Sequence, residues 1–262
     1  MLQLQFITKL IEKMSQETGS NLDTYNEEGV DKRVISYCDT NSYISEQYKS
    51  IVTKLLGHGE APAIKSLVIA SSQSGEGKTT TVCNLASTLA LNFDKKVIIV
   101  DGDLRRPGVH KYFSLESKPG LSDALESGEN YRKFTFKTQI ENLFVMPAGK
   151  TTKAPTTLLH SENMAELHKT LTEDYDIVIY DTSPVLNTAD AQALGTFADA
   201  VLFVVQADKT PKHMIDEALA TLKDTDAEPD ACILTNSTKK LDYYSYWTNY
   251  RYRQYYNEQY YY

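Results

Sequence analysis

The chain has 262 residues, 41% hydrophobic and 24% charged, with 27 Lys and Arg against 35 Asp and Glu for a net charge of −8. This argues against a collagen-like or wholly disordered chain, and no local basic patch offsets the acidic field to make a nucleic-acid or anionic-membrane surface. Cys38, Cys83 and Cys232 make no CxxC pair and have no histidine at ligand spacing, which argues against structural zinc and a disulfide framework.

No apolar run reaches the ~18–20 residues that span a bilayer, and the first residues lack a secretory h-region, so the sequence reads as soluble and cytosolic. Residues 1–30 read as a short helix near Leu2–Ile7 followed by a polar linker, a membrane-proximal segment without a core of its own. In Ser42–Leu56, Tyr48, Ile51, Val52, Leu55 and Leu56 recur at i, i+3, i+4, i+7 and i+8, which predicts an amphipathic helix ended by Gly57.

From there, short β-branched runs alternate with helical stretches. Strands are predicted at Ser66–Ala70, Val97–Val100, Leu143–Met146, Ile177–Tyr180, Ala200–Val205 and Ala231–Leu234. Helices are predicted at Lys78–Leu91, Leu121–Leu125, Asn163–Leu171, Thr188–Phe197 and His213–Leu222. The alternation implies a doubly wound α/β domain over 31–240, with a mostly parallel sheet, helices on both faces and ligands at the carboxyl ends of the strands.

The first of these strands runs into Ser71-Ser72-Gln73-Ser74-Gly75-Glu76-Gly77-Lys78-Thr79-Thr80 and then a helix. The pattern G-x-x-x-x-G-K-[ST] is intact except for Ser72 at its first glycine. Gly75 and Gly77 let backbone N–H groups converge on phosphate, the helix start adds its dipole, Lys78 a charge, and Thr79 a hydroxyl for magnesium. Two more strands run into acids, Asp101-Gly102-Asp103 and Asp181-Thr182-Ser183. Taken singly, each acid is as readily a cap or turn residue; three at strand tips beside a phosphate loop point to a bound cation.

The segments SSQSGEGKT, VIIVDGDLRRP and IVIYDTSP, with the terminal tyrosine cluster, resemble the bacterial protein-tyrosine kinases of capsule and exopolysaccharide biosynthesis over about residues 42–262. The resemblance implies a P-loop NTPase fold binding ATP and Mg2+ through Walker A, Walker A′ and Walker B motifs. On matching positions, Ser74–Thr80 hold the nucleotide, Lys78 the phosphates, and Thr79, Asp101 and Asp181 the metal. Asp103 takes or orients the acceptor phenol's proton, and Arg105 matches the arginine of Walker A′. The family's E-x-x-R-x-x-R oligomerisation motif falls on Glu46 and Lys49, with Val52 for the second arginine. Lysine cannot reproduce a bidentate guanidinium, which puts the ring geometry in question. The resemblance also implies a homo-oligomer and a transmembrane polysaccharide co-polymerase as activator, at the inner face of the cell membrane. Asn236, after the last strand, is placed either on adenine or in a turn.

Ten of the 18 tyrosines stand in the tail 241–262: Tyr243, Tyr244, Tyr246, Tyr250, Tyr252, Tyr255, Tyr256, Tyr260, Tyr261 and Tyr262. By composition alone this is a sticky low-complexity segment or a stacking platform; with a phosphate loop in the same chain it reads as autophosphorylation sites. Twenty residues of flexible coil span roughly 22–27 Å, enough to reach a neighbouring subunit. Two rival readings are a partitioning or septum-positioning ATPase, whose signature lysine is replaced here by Gln73, and a nucleotide-gated interaction module without phosphotransfer.

Overall fold

In the computed structural model, which describes residues 7–9, 25–57 and 64–236, the alternation becomes a layered α/β domain. The elements are β1 (Ile7–Lys9), α1 (Ile35–Cys38), α2 (Tyr43–Leu56), β2 (Ser66–Ser71), α3 (Lys78–Phe93) and β3 (Val97–Asp101). There follow α4 (Val109–Tyr112), α5 (Leu121–Ser127), β4 (Phe136–Lys137), β5 (Leu143–Met146), α6 (Pro155–Leu159) and α7 (Glu162–Asp174). The last are β6 (Ile177–Asp181), α8 (Asp190–Gly195), β7 (Ala200–Gln206), α9 (Lys212–Lys223) and β8 (Ala231–Thr235).

The sheet order is β1-β8-β7-β2-β6-β3-β5-β4, parallel throughout except for β4 against β5. Every residue of β2, β3, β6 and β7 is buried, as a sheet covered on both faces requires. Alternate strand residues feed two cores. Leu67, Ile69, Ile99, Ile179 and Leu202 pack with Tyr48 and Val52 of α2 and with Leu85 and Leu89 of α3. On the opposite face Val68, Ile98, Val178, Tyr180 and Phe203 pack with Leu167 and Leu171 of α7 and Leu222 of α9.

Of the helix expected over Leu2–Ile7, Ile7 instead begins β1, which adds to the open parallel edge of β8, where backbone groups are available for pairing. Val30 and Val34 are fully buried in the first core. Asn84 of α3 holds this segment in place: its Nδ2 donates to the Arg33 carbonyl at 2.8 Å, and its Oδ1 accepts from the Ser36 N–H at 2.9 Å. Among the described residues no helix is long and apolar enough to cross a membrane.

Candidate active site

β2 leaves the sheet at Ser71 and α3 begins at Lys78, so the intervening loop lies at the carboxyl end of the sheet's central strands. Gly75 (φ 80°) and Gly77 (φ 97°) occupy the left-handed region, and a Cβ on Gly77 would stand 3.3 Å from Thr235 Cγ2. Ser72, at the position of the missing glycine, is fully buried. Glu76, only 3% exposed, turns inward: its carboxylate accepts from the Gln73 N–H at 2.7 Å and from the Thr210 hydroxyl. Its carbonyl accepts from Thr235 Oγ1 at 2.8 Å. Glu76 therefore braces the loop through its carboxylate and its carbonyl.

Lys78 is buried and donates from Nζ to Ser71 Oγ at 2.8 Å. Burial pushes its ammonium pKa down, while Asp181, Glu76 and Asp103 oppose the shift.

Asp101 and Asp181 face each other in register on β3 and β6, both buried. Burial pushes the Asp181 pKa up to about 6 against the hydrogen bond from Thr79 and the charge of Lys78. Burial, then the charge of Asp181, raise Asp101 well above the carboxylate range, opposed by the N–H groups of Val109 and Gly108. Those two donate to Asp101 Oδ2 at 3.1 and 3.0 Å. Thr79 Oγ1 donates to Asp181 Oδ2 at 2.7 Å. The Oδ1 of each aspartate is buried with no hydrogen-bond partner.

Two orphaned carboxylate oxygens beside a threonine hydroxyl fit a hard cation that completes its shell with phosphate and water oxygens. Among the described residues no group of three His, Cys, Asp or Glu is placed to hold a metal ion.

Asp103 is held by Oδ1, which accepts from Ser183 Oγ at 2.8 Å, Arg106 N at 2.9 Å and Arg105 N at 3.3 Å. Between the two Walker A′ acids, the Gly102 N–H donates to the Asp181 carbonyl at 2.9 Å. A Cβ on Gly102 would come within 2.8 Å of that oxygen and 2.9 Å of Leu194 Cδ1.

The structure thus brings Lys78, Thr79, Asp101, Asp103 and Asp181 to neighbouring strand ends. Arg105 is held to α6 and α8, its Nη2 donating to Thr156 Oγ1 at 3.3 Å and its Nε 3.7 Å from the buried Asp190 carboxylate. The Thr80 hydroxyl is hydrogen-bonded to Tyr112 Oη at 2.7 Å, and Ser74 is exposed. Asn236 directly follows β8 with φ 55°, half-buried. Glu46 and Lys49 pair with each other on α2 at 2.7 Å. The ten terminal tyrosines lie outside the described residues. Sequence reasoning missed Ser71, Gly102, Ser183, Thr210 and Thr235. Ser71 and Thr235 were signalled as the first polar residues after apolar strands.

A family profile described as an AAA domain matches residues 64–232. The tyrosine-protein kinase YwqD of Bacillus subtilis is 38% identical over 195 residues, covering 73% of this chain and 82% of that protein. The chain belongs to the bacterial tyrosine-protein kinases. A further relative of this kinase, the tyrosine-protein kinase CpsD of Streptococcus pneumoniae, is 32% identical over 69% of this chain and 78% of its own. The crystal structure of the chimerical protein CapA2B2 matches the fold with a TM-score of 0.75 at 32% identity, over 79% of this chain and 91% of that one. Membership makes the chain a protein-tyrosine kinase and disfavours the partitioning-ATPase reading.

Proposed function

We propose that this kinase transfers the γ-phosphoryl group of ATP to the tyrosines of its own C-terminal segment, in trans within an oligomer. In this reading it regulates exopolysaccharide or capsule polymerisation and export, activated by a transmembrane co-polymerase at the inner face of the cell membrane. The carrying observation is the buried pair Asp101 and Asp181, each with an unpartnered oxygen, beside Lys78, Thr79 and Asp103 in a chain with ten terminal tyrosines. Kinship with the kinase CpsD and with the chimera CapA2B2 supports the setting and the partner.

Magnesium, held by Thr79, Asp101 and Asp181, would supply positive charge to the phosphates. Lys78 is already desolvated and fixed by Ser71, so it meets the phosphates with little reorganisation. Asp103 is anchored through Oδ1, while no hydrogen bond among the described residues engages Oδ2. That oxygen takes the phenolic proton as the tyrosine oxygen bonds to phosphorus and the bond to the ADP oxygen breaks. Arg105, tied to Asp190 and Thr156, fixes the loop after Asp103.

From Lys239 to the end the charges are four positive (Lys239, Lys240, Arg251, Arg253) and two negative (Asp242, Glu258), net +2. Each phosphotyrosine adds about −1.5 to −2, so two are enough to reverse the sign. The sign reversal separates a lightly modified, docked tail from a heavily modified, expelled one.

The test is incubation with Mg-ATP followed by mass spectrometry. Successive single-phosphate additions on peptides from 241–262, absent in Lys78→Met, are expected. ADP release with unmodified tail peptides, even with the activator's cytosolic segment supplied, would overturn the reading in favour of a nucleotide-gated module.

A further inference from the structure

The loop between β7 and α9, residues 207–211, is pinned against the phosphate loop. The Thr210 hydroxyl donates to the inward-turned Glu76 carboxylate and accepts from the Gln206 N–H at 3.2 Å. The Ala207 N–H donates to the Thr235 carbonyl at 2.8 Å, next to the hydroxyl that holds the Glu76 carbonyl. Asp208 takes a left-handed φ of 58° to make the turn. Between these fixed points stands Lys209, whose ammonium lies 3.9 Å from where a Cβ on Gly75 would be. Lys209 is exposed and makes no salt bridge among the described residues.

The charge of the site calls for such a group. Glu76, Asp101, Asp103 and Asp181 are four carboxylates around the phosphate loop, and a triphosphate with one magnesium brings about two further negative charges. Lys78 supplies one cation from within, and Arg105 is engaged by Asp190. Position 73 is the neutral Gln73, whose side chain donates to the Met214 sulfur at 2.8 Å.

We propose that Lys209 is a second phosphate-binding cation, carried by the β7–α9 loop, which grips the triphosphate over Gly75 from the solvent side while Lys78 grips it from inside. The inference rests on the reading that residues 71–79 hold the triphosphate. The Glu76–Thr210 bond is the positioning element: it fixes the loop that carries the lysine to the loop that carries the phosphates.

The test is binding of a non-hydrolysable ATP analogue with magnesium, measured by calorimetry at low and high salt for wild type, Lys209→Met, Lys209→Arg and Lys78→Met. One exposed charge-assisted contact corresponds to roughly a 5–20-fold loss of affinity in Lys209→Met, and the loss shrinks at high salt. Lys209→Arg should stay within about threefold of wild type, and thermal midpoints should be unchanged because the residue is exposed. Affinity of Lys209→Met within twofold of wild type at low salt overturns the inference, as does an equal loss in Lys209→Arg and Lys209→Met, which would mean packing rather than charge. A wild type that does not bind the analogue would overturn the underlying site reading instead.

Discussion

Gly102→Ala tests whether the strand tips set the spacing of the site. A methyl at this position would meet the Asp181 carbonyl oxygen at 2.8 Å and Leu194 Cδ1 at 2.9 Å, whereas ordinary contact begins at 3.4 Å. The leucine can turn aside. The carbonyl cannot, because it belongs to the end of β6 and already accepts from the Gly102 N–H at 2.9 Å. Relief therefore requires the tips of β3 and β6 to part by about 0.6 Å, the difference between 3.4 and 2.8 Å. Overpacking of this kind costs about 1–3 kcal/mol of stability. The same displacement opens the space between Asp181 at the end of β6 and both Asp101 at the end of β3 and Asp103 in the loop that follows it. A 1 Å misplacement costs on the order of 10²-fold in rate, so about tenfold in kcat is expected. Tail phosphorylation at saturating Mg-ATP gives kcat, and urea unfolding gives stability. A variant with kcat within twofold of wild type and stability within about 0.5 kcal/mol would refute the reasoning, since the strand tips would then not define the distance between the acids.

Asn84→Ala strands the buried Ser36 N–H and removes the donor to the Arg33 carbonyl, at a cost of about 1–3 kcal/mol. Urea unfolding checks this, and limited proteolysis should cut first between residues 25 and 38. Tyr112→Phe removes the hydroxyl that bonds Thr80 and should cost about 0.5–1.5 kcal/mol in the same measurement. Burial lowers the pKa of His168, which is hydrogen-bonded to the Tyr180 hydroxyl at 2.9 Å. The unfolded chain then binds the extra proton more readily. The contribution of His168 is complete above its ordinary value of 6.5 and is lost as pH falls through 6.5 towards the lowered native value. His168→Gln should flatten the fall in urea midpoint between about pH 7.5 and pH 5.5; an unchanged slope would show that other groups carry it.

Apolar patterning located the central strands but stopped each one residue short. β2, β3, β6, β7 and β8 continue to Ser71, Asp101, Asp181, Gln206 and Thr235, the first polar residue in each case. Those residues stay in the ladder because the sheet supplies their backbone partners, and four of the five serve the phosphate loop or its acids. The short elements α1, α4, α6 and β4 were not legible, since two to five residues carry too little periodicity to register. The phosphate loop and its acids were legible from residue type and order. The inward turn of Glu76 and the tethering of Arg105 were not, because their partners Thr210, Thr156 and Asp190 are brought in by tertiary structure from 134, 51 and 85 positions away.

Asp101 divides its two oxygens between different duties. One is committed to the N–H groups that open α4, and the other faces inward without a partner. At the far end of that short helix Tyr112 touches Thr80 and lies under the Arg33 guanidinium, 4.3 Å from the ring centre. The idle oxygen is thus joined through four residues and one aromatic ring to the stretch of chain ahead of the first long helix. The site and the leading segment are linked by a single helical turn.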